Sequence, residues 1–162
     1  MSFIRTKKFN GKEYAYLVES KWYKRKLKGK SKGPRQKVSK YLGRVYFFEK
    51  ANNIEFFDFK IMEKAEQYLV NNTYEEIIKD LVRWEIYRHN ISIKDFSINL
   101  DGKKITKEGK DVSLGINEGI LNNHTLKRLF NLQSDDSLYL AKAFVEAGIE
   151  IPKEVFVGLF SQ

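Results

Sequence analysis

Arg5 and Lys7 alternate along the run FIRTKKF (3–9), and Tyr14, Tyr16 and Trp22 alternate along KEYAYLVESKWYK, which follows it. Beyond them Lys24, Arg25, Lys26, Lys28, Lys30, Lys32 and Arg35 crowd one segment, and Lys37, Lys40 and Arg44 continue the series. Lysine and arginine displace counterions from phosphates, and arginine also forks onto phosphate oxygens or guanine edges. Aromatic rings among them stack on unpaired bases or hold the cations in place. That combination suits a polyanion, and nucleic acid before others.

The charge distribution points the same way. The chain has 162 residues, 30 bases and 21 acids, for a formal charge of +9. Residues 1–50 hold 16 of the bases and three acids (Glu13, Glu19 and Glu49), a net of +13, while the rest is net −4. A surplus confined to under a third of the chain is an electrostatic footprint and not a solubility device spread over a surface. There are no cysteines and two histidines, His89 and His124. Disulfides, thiolate metal sites and cysteine nucleophiles are excluded, and neither a metal nor a cofactor is expected. No apolar run approaches the roughly 20 residues of a membrane span, and MSFIRTKKF lacks the apolar stretch of a signal peptide. The expectation is a soluble, cytoplasmic protein with no membrane partner.

These residues need elements to position them. Asn10-Gly11 between two strand-like runs predicts a two-residue hairpin turn, which sets Phe9 opposite Lys12, Lys7 opposite Tyr14, Arg5 opposite Tyr16 and Phe3 opposite Val18. One face then carries Phe3, Arg5, Lys7, Tyr14, Tyr16, Val18 and Trp22, and the other Ile4, Thr6, Ala15 and Leu17. Segment 24–35 is broken by Gly29, Gly33 and Pro34 and reads as a basic loop, before a third strand over 36–48. Helical periodicity over 58–71, with Asp58 as cap, predicts a helix covering this sheet. A second helix starts at Thr73, whose pairing with Glu76 fits a capping box. Alternation returns at 91–112, with Asp101-Gly102 as a turn and Ile91, Ile93, Ile98, Leu100 and Ile105 on its apolar side. Helices follow over about 117–132, about 135–147 and after Pro152. The predicted fold class is α+β: an N-terminal three-stranded antiparallel sheet, a helical hairpin, a second β-hairpin and a C-terminal helical cluster. It divides into a basic β module (1–48) and a mainly helical part (49–162) with a hairpin near 91–107. Two domains with a joint at 49–57 and one continuous domain both fit.

The blocks Tyr16-Leu17-Val18-Glu19-Ser20 and Lys40-Tyr41-Leu42-Gly43-Arg44, within residues 3–47, resemble the N-terminal module of DDE-class insertion-sequence transposases. The resemblance implies a nucleic-acid-docking sheet and no catalysis, since 162 residues cannot hold a transposase core beside it.

Other constellations are thinner. Asp101 with Glu108-Gly109-Lys110, and Asp95 or Asp111 as a further ligand, has the residue types of a magnesium-dependent nuclease. Asp101 falls in a turn, however, and Glu108-Gly-Lys lacks an apolar strand. His89 ends a helix, where an imidazolium complements the dipole; Ser113 and Ser134 have no histidine partner by local signature. Residues 137–161 have the outline of a helix-turn-helix, but Glu146, Glu150 and Glu154 would repel phosphate, so the pair reads as packing or as a homodimer contact. The sequence reading is a non-catalytic nucleic-acid-binding protein, double-stranded DNA ahead of RNA, docking through Arg5, Lys7, Tyr14, Tyr16, Trp22, Lys24, Arg25, Lys28, Arg35, Lys37, Lys40 and Arg44. An adaptor for an acidic protein is the alternative, and the nuclease the second.

Overall fold

In the computed structural model, which describes residues 2–23, 33–61, 64–131 and 137–160, Asn10 and Gly11 both take left-handed backbone angles (φ 49° and 74°). This is the turn whose twist matches that of its strands. It joins β1 (Ser2–Phe9) to β2 (Lys12–Tyr23) in the expected register, Arg5 opposite Tyr16 and Lys7 opposite Tyr14. β2 pairs antiparallel with β3 (Gly33–Phe47). The β3 register skips Ser39 and Leu42, so each is a bulge that resets which side chains face which way.

The helix expected over 58–71 is two helices, α1 (Phe56–Lys60) and α2 (Ala65–Asn71). Ile61 ends the first in a left-handed conformation (φ 55°), and Asp58 lies in its first turn while Glu55 occupies the cap position. The start is set by packing: the buried Phe56 ring meets Tyr68 and Trp84 edge-on at 5.4 and 5.5 Å. α3 (Tyr74–Arg88) begins at Thr73 as expected. The Thr73 hydroxyl accepts from the Glu76 amide, and the Glu76 carboxylate accepts from the Thr73 amide. Thr73→Ala removes one of these bonds and is expected to lower folding stability by about 1 kcal/mol in urea denaturation, with an unchanged slope.

After α3 come β4 (Ser97–Asn99) and β5 (Lys104–Lys107), joined through Asp101-Gly102, then β6 (Lys110–Ile116). Strand structure starts later than 91, and Ile93, expected on the apolar side, is exposed; Phe96 is buried instead. Glu108 and Gly109 (φ 52° and 76°) make the two-residue turn into β6. The helix expected from 117 is a correction. Asn117 and Glu118 (φ 47° and 63°) turn the chain back as β7 (Gly119–Leu121) on β6, and only then does α4 (Asn123–Phe130) start, capped by Asn122. α5 (Ser137–Ala147) and α6 (Lys153–Phe160) complete the chain. No helix among the described residues is long and apolar enough to cross a membrane.

The fold is α+β, and one sheet organises it. β3 runs parallel to β6, Arg44 beside Val112 and Tyr46 beside Leu114, giving the order β1-β2-β3-β6-β5-β4 with β7 on β6. The main core joins Ile105, Val112, Leu114, Ile116 and Leu121 of the sheet to the buried faces of the helices. A smaller cluster of Ala15, Leu42 and Val45, flanked by Ile4, Leu17 and Ile120, fills the opposite face. The α2–α3 hairpin, expected to cover the first strands, contributes its buried residues to the main core and none to this smaller cluster, among the described residues.

Candidate nucleic-acid interface

Strand alternation turns the register into a map of faces. Arg5, Lys7, Tyr14, Tyr16 and Trp22 fall on one face of β1 and β2. The bulges at Ser39 and Leu42 bring Val38 opposite Val18, Tyr41 opposite Tyr16 and Arg44 opposite Tyr14 on that same face. The residues paired with Leu17, Glu19 and Lys21 are Lys40, Lys37 and Arg35, so those three bases face the other way. Lys24, Arg25 and Lys28 lie outside the described residues.

The first face is built around tyrosine. Tyr41 sits 5.4 Å from Tyr16 and 6.4 Å from Tyr14, ring centre to ring centre, and remains half-exposed. Burial, with the Tyr16 and Tyr14 hydroxyls beside it, raises the Tyr41 phenol above its ordinary value. Its hydroxyl is therefore a hydrogen-bond donor at neutral pH. The Lys7 ammonium lies 5.5 Å from the Tyr16 ring centre, and Arg5 donates to the Gln36 side chain at 2.9 Å. Trp22 is 69% exposed, farther along the ribbon.

The parallel β3–β6 junction extends this face. The Arg44 guanidinium stacks 4.7 Å from the Tyr46 ring centre, and the Lys107 ammonium approaches the same ring at 4.8 Å. Tyr14, Tyr41, Arg44, Tyr46, Lys107 and Lys110 line a cleft of about 560 Å³, together with the carboxylates of Glu108 and Asp111. Arg44 Nε is buried there without a hydrogen-bond partner in the described structure. Among the described residues, Arg5, Lys7, Arg44 and Lys107 have no carboxylate partner within ion-pair distance. Past the cleft the same face becomes the core floor, Val112, Leu114 and Ile116, beneath the helices.

The face thus has an open, basic and aromatic half and a closed, apolar half. No family model, curated protein or solved structure matches the chain. Sequence reasoning placed Arg5, Lys7, Tyr14, Tyr16 and Trp22 together but did not assign Tyr41, Tyr46, Lys107 or Lys110 to the site. Their only sequence signal is an aromatic or basic residue within strand-like runs, and the bulges and the β3–β6 pairing decide where they point.

Asp101 does not join the rest of the acidic cluster, of which Glu108, Lys110 and Asp111 share the cleft beside Arg44. Asp101 follows β4 and Glu108 follows β5, so the two carboxylates lie at opposite ends of β5. Asp101 accepts from Lys79 at 2.6 Å, and that bond holds its carboxyl below the ordinary value. No group of three His, Asp or Glu side chains arranged to hold a metal occurs among the described residues. Ser113 is buried, donates to the Leu42 carbonyl at 2.8 Å and accepts from Asn122 at 3.0 Å, clipping β3 to β6. His89 caps α3, its Nδ1 2.8 Å from the Glu85 carbonyl oxygen. Ser134 lies outside the described residues. In the C-terminal helix pair, Glu146 is tied to Arg128, and Glu150 to Lys50 and Arg88.

Proposed function

We propose that this chain binds nucleic acid without transforming it, double-stranded DNA ahead of RNA, through the open half of the β1-β2-β3 face. The observation that carries the reading is the convergence of Arg5, Lys7 and Arg44 with Tyr14, Tyr16 and Tyr41 on one face, where none of the three cations is ion-paired among the described residues. Supporting it, β3 is exposed from Pro34 through Tyr41, so a narrow ribbon stands clear of the helices. A two- or three-stranded ribbon has the width of a DNA major groove. On this reading residues 3–47 act as the transposase docking module they resemble would, and the protein works in the cytoplasm.

The test uses the full chain and labelled DNA duplex, RNA duplex and single strands, followed by fluorescence anisotropy from about 50 to 200 mM salt. The DNA duplex is expected to bind most tightly, with a steep salt slope. Arg5→Glu with Lys7→Glu is expected to weaken binding at least about tenfold and to reduce the slope by about two. Lys64→Glu, exposed at the start of α2, serves as the charge control. Absence of binding to every strand at low salt, or equal loss in the control, overturns the reading and turns attention to an acidic protein partner. Preference for single strands would move the site to the tyrosines, where unpaired bases stack.

A homodimer through α5 and α6 belongs to the same proposal and is supported by Val145 of α5, which is 73% exposed. Light scattering of the wild type and of Val145→Lys checks it: a dimer mass for the first and a monomer mass for the second.

A further inference from the structure

The reverse of the ribbon carries its own cations. Lys37 and Lys40 point away from the tyrosine face, toward the side where α4 and α5 enclose a cleft of about 670 Å³. Lys127 and Arg128 of α4, Lys142 of α5, His124 at the start of α4 and Ser2 of β1 line it. Lys40 is close enough to act electrostatically on His124. Among the described residues lining the cleft the acid is Glu146, which is taken up by Arg128. Lys127 and Lys142 have no carboxylate partner among the described residues. α4 and α5 thus line one concave site with cations, and Lys40 of β3 is near enough to add to its positive field.

We infer that this cleft holds the phosphate backbone of a second nucleic-acid segment, so that one chain bridges two duplexes. The inference rests on the proposed function of the tyrosine face. Two segments are required because the two sites lie on opposite faces of the same strands, and a single straight duplex cannot lie on both sides of a sheet. Phosphate is the matching chemistry. The lysines act as point charges, and His124 contributes a further charge when protonated.

His124 supplies an independent signal. Burial lowers its ionisation below the ordinary histidine value; Glu146 opposes this, while Arg128, Lys40 and Lys127 reinforce it. A phosphate in the cleft favours the imidazolium, so the second contact strengthens as pH falls below the ordinary histidine value. The tyrosine face carries no histidine.

The experiment immobilises one duplex on beads and measures capture of a second, labelled duplex by the full chain, beside anisotropy for a single duplex. Lys127→Glu with Lys142→Glu is expected to reduce capture at least about tenfold and to change single-duplex affinity less than about threefold. Arg5→Glu with Lys7→Glu is expected to reduce both. His124→Gln should abolish the rise in capture at lower pH. If the wild type binds single duplex but the Lys127/Lys142 variant captures the second as well as the wild type does, the cleft is not a phosphate site and the tyrosine face stands alone. Bridging through a dimer of tyrosine faces would give that same result. If the wild type binds no duplex at all, the proposed function and this inference fail together. Circular dichroism of each variant confirms that a loss is not unfolding.

Discussion

Glu85→Ala is expected to remove about 4 kcal/mol of folding stability, a large share of what a domain of this size possesses. Glu85 is fully buried at the crossing of three chain segments. Its carboxylate accepts from the Asn117 side chain at 2.9 Å, from the Glu150 amide at 3.1 Å and from Arg88 at 3.3 Å. Arg88, itself buried, stacks 4.1 Å from the Trp84 ring and donates to Glu150 at 2.9 Å. Removing Glu85 leaves a buried guanidinium short of one anion and takes an acceptor from both the Asn117 side chain and the Glu150 amide. The loss therefore exceeds that of an apolar truncation of equal size. Glu85→Gln keeps the volume but turns one acceptor into a donor facing other donors, and should cost about half as much. Urea denaturation at neutral pH separates the two; an alanine variant within about 0.5 kcal/mol of wild type would show that the network contributes little.

The same network sets an acid response with two opposing parts. Burial raises the Glu85 carboxyl above its ordinary value, against hydrogen bonds from the Glu150 amide and Asn117. Its raised ionisation is a cost present at neutral pH and relieved as pH falls through the folded value. Glu150 behaves oppositely. Burial pushes it up, but Lys50 and Arg88 together outweigh burial and hold it below the ordinary value. Its contribution is present above the unfolded value and is lost as pH falls through the folded one. Stability against pH is therefore expected to stay level through the weakly acidic range and to drop only at lower pH.

Gly43→Ala is the second large expectation, at about 3 kcal/mol, with the damage confined to one junction. Gly43 lies in β3 at φ 98°, where a side chain is strained, and a β-carbon there would stand 2.3 Å from the Asp111 carbonyl oxygen. The only relief is separation of β3 from β6. Because Arg44 and Tyr46 meet Lys107 and Val112 across that junction, the variant should also lose the cleft at the base of the tyrosine face. Hydrogen exchange should report this as early loss of protection at Arg44–Phe47 and Val112–Gly115 with β1–β2 amides little changed. Uniform loss across the sheet would contradict the assignment.

What the sequence disclosed follows the range of the forces involved. The Asn10-Gly11 turn and the Thr73–Glu76 capping box are decided within a few residues, and both read directly. Once the turn is known, the β1–β2 register follows for Arg5, Lys7, Tyr14 and Tyr16. The same confidence in local pattern misled at 117–121, where a helix was expected and a left-handed Asn117-Glu118 pair makes a strand turn instead. On β3, simple alternation fails because Ser39 and Leu42 are extra residues, and this sends Lys37 and Lys40 behind the sheet while Tyr41 and Arg44 stay in front. Lys107 and Lys110 belong to the site only because β6 pairs with β3, a contact no local signal announces.

That pairing also bears on how the chain acquires its shape. The β1–β2, β5–β6 and β6–β7 hairpins close through two-residue turns, whereas the Ser113–Leu42 bond joins residues 71 apart in sequence. Long loops close at greater entropic cost and are rewarded only once the intervening helices have packed. The basic ribbon is thus expected to form early and the parallel seam last. A nascent chain would carry its basic strands into solution before the body that anchors them exists.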